Sequence, residues 1–275
     1  MPTSEGLKSI RKQRDRLLSD IWRLIGTRTW RLIGTRTWRL IGASKCLICS
    51  MPCSESVEIC QHCRLEMPWI EKACSICALP LPQSFGGSNY LCGSCLASGS
   101  ANRAIDFSWI PFSYRPPVST LLLRFKNSAD LVVGRALAEL LAMEVLYRWK
   151  VRCAESGFNA GQPAIVPVAL HPKKLASRGF NQALELATPL AKITGWPLLP
   201  MLIVRTRNTP AFQTLRAGAR KRIAHNLFRI KATPPAFVLL IDDVVTTGAT
   251  SLSAAQCLRQ AGCHRVGVVA VARTE

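Results

Sequence analysis

The segment Phe237-Val238-Leu239-Leu240-Ile241-Asp242-Asp243-Val244-Val245-Thr246-Thr247-Gly248-Ala249-Thr250 sets two adjacent carboxylates directly after five apolar residues. A short loop of hydroxyls and glycine follows, then an Ala-rich amphipathic stretch from Ser251 to Gln260, closed by Gly262. The pattern predicts a buried parallel strand, a turn and a helix. It puts the acids at the carboxyl end of the strand, where open α/β sheets bind ligands. The loop offers backbone N–H groups, hydroxyls and a helix N-terminus to an anion. Carboxylates that accept from hydroxyls, beside a cradle for phosphate, suit a phosphorylated sugar. No Lys follows Gly248, so this is not a Walker A loop. No G-x-G-x-x-G precedes it, so the dinucleotide fingerprint is absent. An ordinary core strand ending in two solvated acids leaves the T-T-G-x-T run unexplained.

A second chemistry lies upstream. Cys46-Leu47-Ile48-Cys49 and Cys60-Gln61-His62-Cys63 form two C-x2-C knuckles, and Cys74-Ser75-Ile76-Cys77 and Cys92-Gly93-Ser94-Cys95 form two more. Each knuckle brings two sulfurs into one tight turn, and two knuckles supply the tetrahedral four-thiolate shell of structural zinc. The intervals between knuckles, 10 and 14 residues, sit at or just below the short end of zinc-ribbon spacing. Spacing leaves open whether one or two ions bind and which knuckles pair. An all-thiolate shell with no open position argues for a structural metal, and the segment is too short to fold on an apolar core alone. Redox switching by the same pairs is the competing reading. Cys53 reads as a bystander, His62 as solvent-facing, and Cys153, Cys257 and Cys263 as small core residues.

The chain has 275 residues, 48% of them hydrophobic, which allows one good-sized domain plus a small module. No apolar run reaches transmembrane length and no cleavable leader is evident, so a cytoplasmic protein is expected. Twelve cysteines there point to metal rather than disulfides. The net charge of +20 is uneven: residues 1–45 carry 11 Lys/Arg against 3 Asp/Glu, and residues 205–231 carry 8 Lys/Arg with no acid. Such blocks favour polyanions, or simply form a solvated basic surface. Within the first block Trp22–Thr29 recurs as Trp30–Thr37 and again in part as Trp38–Gly42. The eight-residue period matches no helical or solenoid repeat. A tandem duplication in a tolerant extension accounts for it; the alternative is an Arg/Trp arm for a membrane surface or nucleic acid.

The elements that would carry the acids are read as follows. Asp106–Phe112 is an edge strand because of Pro111. Leu121–Lys126 leads into a helix near Leu131–Trp149. Ala164–Leu170 is a strand that runs into the segment His171–Gln182, a helix to about Ile193 follows, and Arg265–Ala272 is a final strand. The expected division is a basic, disordered extension at 1–45, a zinc-ribbon module at 46–100 and an α/β domain at 101–275.

The acid-and-threonine loop resembles the ribose-phosphate signature of type I phosphoribosyltransferases, which bind phosphoribosyl pyrophosphate (PRPP). The wider chain adds four cysteine knuckles, R-F-K-x3-D from Arg124 to Asp130, V-P-V-x-L-H-P-K-K from Val166 to Lys174, R-G-F-N-Q from Arg178 to Gln182 and R-x-R-x-T-P from Arg205 to Pro210. In that order, with the acid loop last, they resemble the competence protein F (ComF) family over residues 46–273. The resemblance implies a type I phosphoribosyltransferase-like parallel sheet flanked by helices, with a small N-terminal four-cysteine zinc-ribbon module. It implies that Asp242 and Asp243 hold the ribose hydroxyls and that Val244, Thr246, Thr247, Gly248, Ala249 and Thr250 wrap the phosphate. His171, Lys173, Lys174 and Arg205 would face the pyrophosphate, and Arg205 to Arg222 would form a closing loop. Phe212 and Ile223 stand where the family more often has Gln and Asn.

The implied chemistry is substitution at the ribose anomeric carbon, with Mg2+ carried in by PRPP. The charges of Lys173 and Lys174 would stabilise the leaving pyrophosphate, and loop closure would exclude water. Residues supply no evident general base or acceptor pocket. The family is linked to natural transformation, so a PRPP-responsive or single-stranded-DNA-handling factor working with DNA-uptake machinery is the second reading. A zinc-dependent scaffold with a vestigial site is the third.

Overall fold

The computed structural model describes residues 45–53, 57–82, 90–99, 103–156, 161–206 and 227–275. The tryptophan repeat and the basic stretch 207–226 lie outside the described residues.

The apolar run that opens the acid segment forms the centre of the sheet. Strand β6 (Phe237–Val245) lies between β7 (Arg265–Arg273) and β3 (Ala164–Pro167), parallel to both. Strands β1 (Phe107–Trp109) and β2 (Phe112–Ser113) continue the sheet beyond β7, again in parallel. They form one edge interrupted at Ile110-Pro111, where proline has no N–H to give the ladder. The register pairs Leu239 with Ile165 on one side and with Gly267 on the other. A second, antiparallel pair joins β4 (Ile203–Arg205) to β5 (Phe228–Ile230).

Alternation along the strands sends side chains into two apolar layers. Leu239, Ile241, Val269 and Val271 meet helices α3 (Val118–Asn127), α4 (Leu131–Ser156) and α6 (Gln182–Thr194). Val238, Leu240, Val268 and Ala270 meet helix α7 (Ala249–Gln260) and the β4–β5 pair. Covering on both faces is what a continuous Val/Ile/Leu strand requires, and Val238 through Ile241 are fully buried. The expected strand at 237–241 in fact runs on to Val245, so both acids belong to the strand itself. Leu121–Lys126, read as a lead-in, lies within a helix of its own.

The R-F-K-x3-D stretch explains the corner between α3 and α4. Arg124 pairs with Asp130 at 2.8 Å, and Asp130 Oδ1 accepts from the Val133 N–H at the start of α4. Those two interactions hold the Asp130 carboxyl below its ordinary range against the opposing effect of burial.

Two short helices, α1 (Gln61–Leu65) and α2 (Gly93–Ala97), belong to the cysteine segment. Helix α5 (Pro172–Arg178) follows β3. Among the described residues no helix is long and apolar enough to cross a membrane.

Close packing of the edge strand depends on Gly267. A Cβ there would lie 2.4 Å from the Phe107 ring and 2.8 Å from Leu239. Phe107 is buried and packed against Trp109 and Phe237, so it has nowhere to move. Gly267→Ala is expected to destabilise the fold by about 1–3 kcal/mol in urea unfolding, the usual cost of overpacking; an unchanged midpoint would contradict this packing.

Candidate functional site

The cysteines form two groups, Cys46–Cys49–Cys60–Cys63 and Cys74–Cys77–Cys92–Cys95, each with its sulfurs within 4.8 Å of one another. Knuckles therefore pair in sequence order, the point that spacing left open. The two groups are built alike. In each, the first cysteine N–H and C=O close a tight turn: Cys46 bonds to Met51 and Ser50, Cys74 to Leu79 and Ala78. Ser50 and Ala78 occupy matching left-handed positions at φ 61° and 56°. The third cysteine then starts a short helix, α1 or α2, that carries the fourth.

Sulfur separations of 3.8 Å for Cys49–Cys60 and 3.6 Å for Cys77–Cys92 match the edge of a tetrahedron with Zn–S bonds of about 2.3 Å, which is about 3.8 Å. The thiols also share protons unequally. A bond from Cys77 lowers Cys74 to about 4 against the effect of burial, while Cys77 is raised in return. Burial opposes but does not outweigh the N–H groups that lower Cys46 to about 6. Four cysteine sulfurs at tetrahedral spacing are the donor set structural zinc uses. Cys53 is buried and donates to the Val57 carbonyl outside both groups, and His62 is exposed.

The acids lie at the carboxyl end of the sheet's central strand. Asp242 and Asp243 line a cleft of ≈ 160 Å³ together with Lys126, Arg178 and Arg205. Asn181, Gln182 and Thr250 complete its polar wall, and Val244 also lines it. Each carboxylate also accepts from the next backbone N–H: Asp243 N to Asp242 Oδ1 at 2.9 Å and Val244 N to Asp243 Oδ1 at 2.6 Å. Lys126 Nζ sits 2.8 Å from Asp243 Oδ2. Among the described residues no cation is paired with Asp242 at such a distance. Burial, reinforced by the neighbouring Asp243, pushes it up to about 7.

Gly248 turns the chain into α7 with φ 76°, which only glycine adopts freely. Gly248 has no side chain with which to cap the helix that it starts. Thr247 Oγ1 accepts from the Ala249 N–H at 3.4 Å.

The remaining expected residues are distributed differently. His171 caps α5, its Nδ1 accepting from the Lys173 N–H at 3.2 Å, and Lys173 is exposed. Neither lines the cleft among the described residues. Lys174 is half-buried; burial lowers its pKa, and the nearby Arg205 and Arg178 add to the effect. The R-G-F-N-Q run has a structural half and a cleft half. Gly179 closes α5 at φ 80°, and Asn181 caps α6 while donating to the Val168 carbonyl. Arg178 Nη1 donates to Gln182 Oε1 at 3.2 Å, which leaves Gln182 Nε2 buried with no hydrogen-bond partner among the described residues.

Lys126 was not singled out from the sequence. Two adjacent acids at a buried strand end need a cation, and the R-F-K-x3-D stretch was the signal that held one.

A parallel α/β sheet with a cleft at its carboxyl end, joined to two four-cysteine groups, is the class of protein these features define. Residues 38–96 match the double zinc ribbon domain family. The chain is 33% identical to DNA utilization protein YhgH of Salmonella typhi over 235 residues, 83% of this chain and 96% of that protein. It is 32% identical to competence protein F of Haemophilus influenzae over 187 residues, 66% and 78% of the two chains. Competence protein ComFC of Streptococcus pneumoniae is 29% identical over 182 residues, 64% and 69% of the two chains. The chain belongs to this competence protein F/YhgH family.

Two measurements test the site. Metal analysis of purified protein is expected to give two zinc ions per chain, falling to about one in Cys46→Ser or Cys74→Ser; a single ion in the unaltered protein would rule out two separate centres. For Asp242 the sign follows from a folded pKa raised from 3.8 to about 7. Between those values the unfolded chain has lost the proton and the folded chain keeps it. Stability therefore falls as pH rises through that window, and the penalty is complete above it. Asp242→Asn removes the penalty while leaving other groups, such as the buried Glu139, to titrate in both proteins. A rise from 3.8 to about 7 corresponds to about 4 kcal/mol, so the Tm difference between variant and wild type is expected to grow from pH 4 to pH 8 by roughly 8–16 °C in a chain of this size. A difference independent of pH would show that Asp242 titrates normally.

Proposed function

We propose that the cleft binds PRPP with Mg2+ and transfers its phosphoribosyl group to an acceptor, in the service of DNA utilisation or uptake. The observation that carries this reading is the meeting of Asp242 and Asp243 with an uncapped helix start and three cations in one cleft. Hydroxyls of a pentose suit the paired carboxylates. A terminal phosphate suits the N–H groups after Gly248. A pyrophosphate suits Arg178, Arg205 and the adjoining Lys174. Bound Mg2+ would offset the charge of PRPP. In the reaction the bond from the anomeric carbon to pyrophosphate breaks, the acceptor's electron pair forms the new bond, and pyrophosphate leaves with the ribosyl electrons. The chain's part is electrostatic: the cations steady the leaving group and the carboxylates hold the sugar. The unpartnered Gln182 Nε2 suits an acceptor oxygen on the bound ligand.

The names of the relatives, DNA utilization protein and competence protein, favour a second reading: PRPP acts as a signal to a non-catalytic factor that handles single-stranded DNA. The two readings part on turnover. PRPP with Mg2+ is expected to raise the Tm of the full chain, and Asp242→Ala with Asp243→Ala to abolish that rise while the protein still melts cooperatively. Pyrophosphate release in the presence of nucleobases, ammonia or oligonucleotides supports transfer. Tm stabilisation without release, together with salt-sensitive oligonucleotide binding, supports the second reading. A wild-type Tm unmoved by saturating PRPP removes both.

A further inference from the structure

The last residue of β7 is a buried arginine whose partners are backbone carbonyls. Arg273 is 7% exposed. Its Nε donates to the carbonyl of Cys77, a member of the second cysteine group, at 3.1 Å. Its Nη1 faces the carbonyls of Val245 at 3.2 Å and Thr274 at 2.7 Å, and that of Thr246. Val245 and Thr246 are the residues through which β6 enters the loop. One planar guanidinium thus spans the zinc knuckle and the root of the loop that starts α7.

The neighbouring strand repeats the attachment. In β1, the Ser108 N–H donates to the Ser75 carbonyl at 2.9 Å and Ser108 Oγ to the Ile76 carbonyl at 2.5 Å. Three consecutive carbonyls of the 74–77 knuckle are therefore held by the sheet. The first cysteine group attaches elsewhere. Arg124 donates to the Leu47 carbonyl at 3.2 Å and Arg135 pairs with Glu58 at 2.8 Å, both from the α3–α4 side.

We propose that Arg273 is a positioning residue through which the second zinc knuckle, and not the first, fixes the loop Thr246–Thr250. A knuckle closed around its metal presents its carbonyls at fixed positions, Arg273 reads those positions, and its other face sets where the loop leaves β6. A lysine cannot replace it, because a compact ammonium lacks the fork that reaches both carbonyl sets. The loop's role in holding phosphate rests on the PRPP reading above, but its immobilisation does not.

The test is hydrogen exchange on full-length, zinc-loaded protein without ligand. Arg273→Lys is expected to speed exchange of the Thr246–Thr250 amides about tenfold, while zinc content and the protection of Val238–Ile241 stay at wild-type levels. Cys77→Ser is expected to do the same with loss of one zinc, and Cys49→Ser to lose one zinc with the loop unchanged. Loop exchange unaltered in Arg273→Lys overturns the proposal, as does equal loosening by Cys49→Ser. If Cys77→Ser also exposes the β6 core, it has unfolded, and Arg273→Lys alone decides, since it keeps every zinc ligand. Calorimetry with PRPP separates the two claims. A wild-type protein that ignores PRPP yet loosens as stated removes the substrate and leaves the positioning role standing.

Discussion

Repulsion between two neighbouring carboxylates is the constraint around which this molecule is arranged. Asp242 and Asp243 follow directly on strand residues with no access to water, where like charges interact far more strongly than in solvent. The fold answers with one close cation, Lys126 at 2.8 Å from Asp243, and with backbone donors to each acid. The outcome is asymmetric: one acid is paired, and the other is held near its protonated form. On the PRPP reading proposed above, the sugar hydroxyls and the accompanying cation would complete what the protein leaves unbalanced.

The helix that carries Lys126 is tied in part to the cysteine module. Lys126 stands on α3, two residues beyond Arg124, which grips both Asp130 and a carbonyl of the first knuckle. On the opposite side Arg273 and Ser108 grip the second knuckle. Trp69 packs on Phe112, and backbone bonds from Ile70 to Pro111 and from Ser113 to Pro68 fill the gap between. The ribbons are thus not a tethered appendage. They brace the sheet at the end that carries the acids, and metal supplies the rigidity that so short a segment could not obtain from apolar burial.

Much of this was legible in the sequence for identifiable reasons. The strand from Phe237 and the helix after Gly248 could be read because a doubly covered parallel strand is a continuous apolar run and a left-handed turn favours glycine. The knuckles could be read because two thiolates on one ion need a fixed spacing. What escaped was long-range. The R-F-K-x3-D stretch held Lys126, but nothing in it says that the partner is an acid 117 positions away. Arg273 resembles an ordinary charged end to an apolar strand, and only the tertiary arrangement surrounds it with carbonyls. One helix end escaped as well: the helix expected to close near Trp149 runs on to Ser156.

The bond from Arg273 to Cys77 joins residues 196 positions apart. On a ribosome adding about 5–20 residues per second, Cys77 is made roughly 10–40 seconds before its arginine clamp. During that interval the eight thiols rely on metal capture alone for shelter from oxidation and mispairing. Zinc availability during synthesis therefore bears on the yield of native protein, quite apart from its place in the finished molecule.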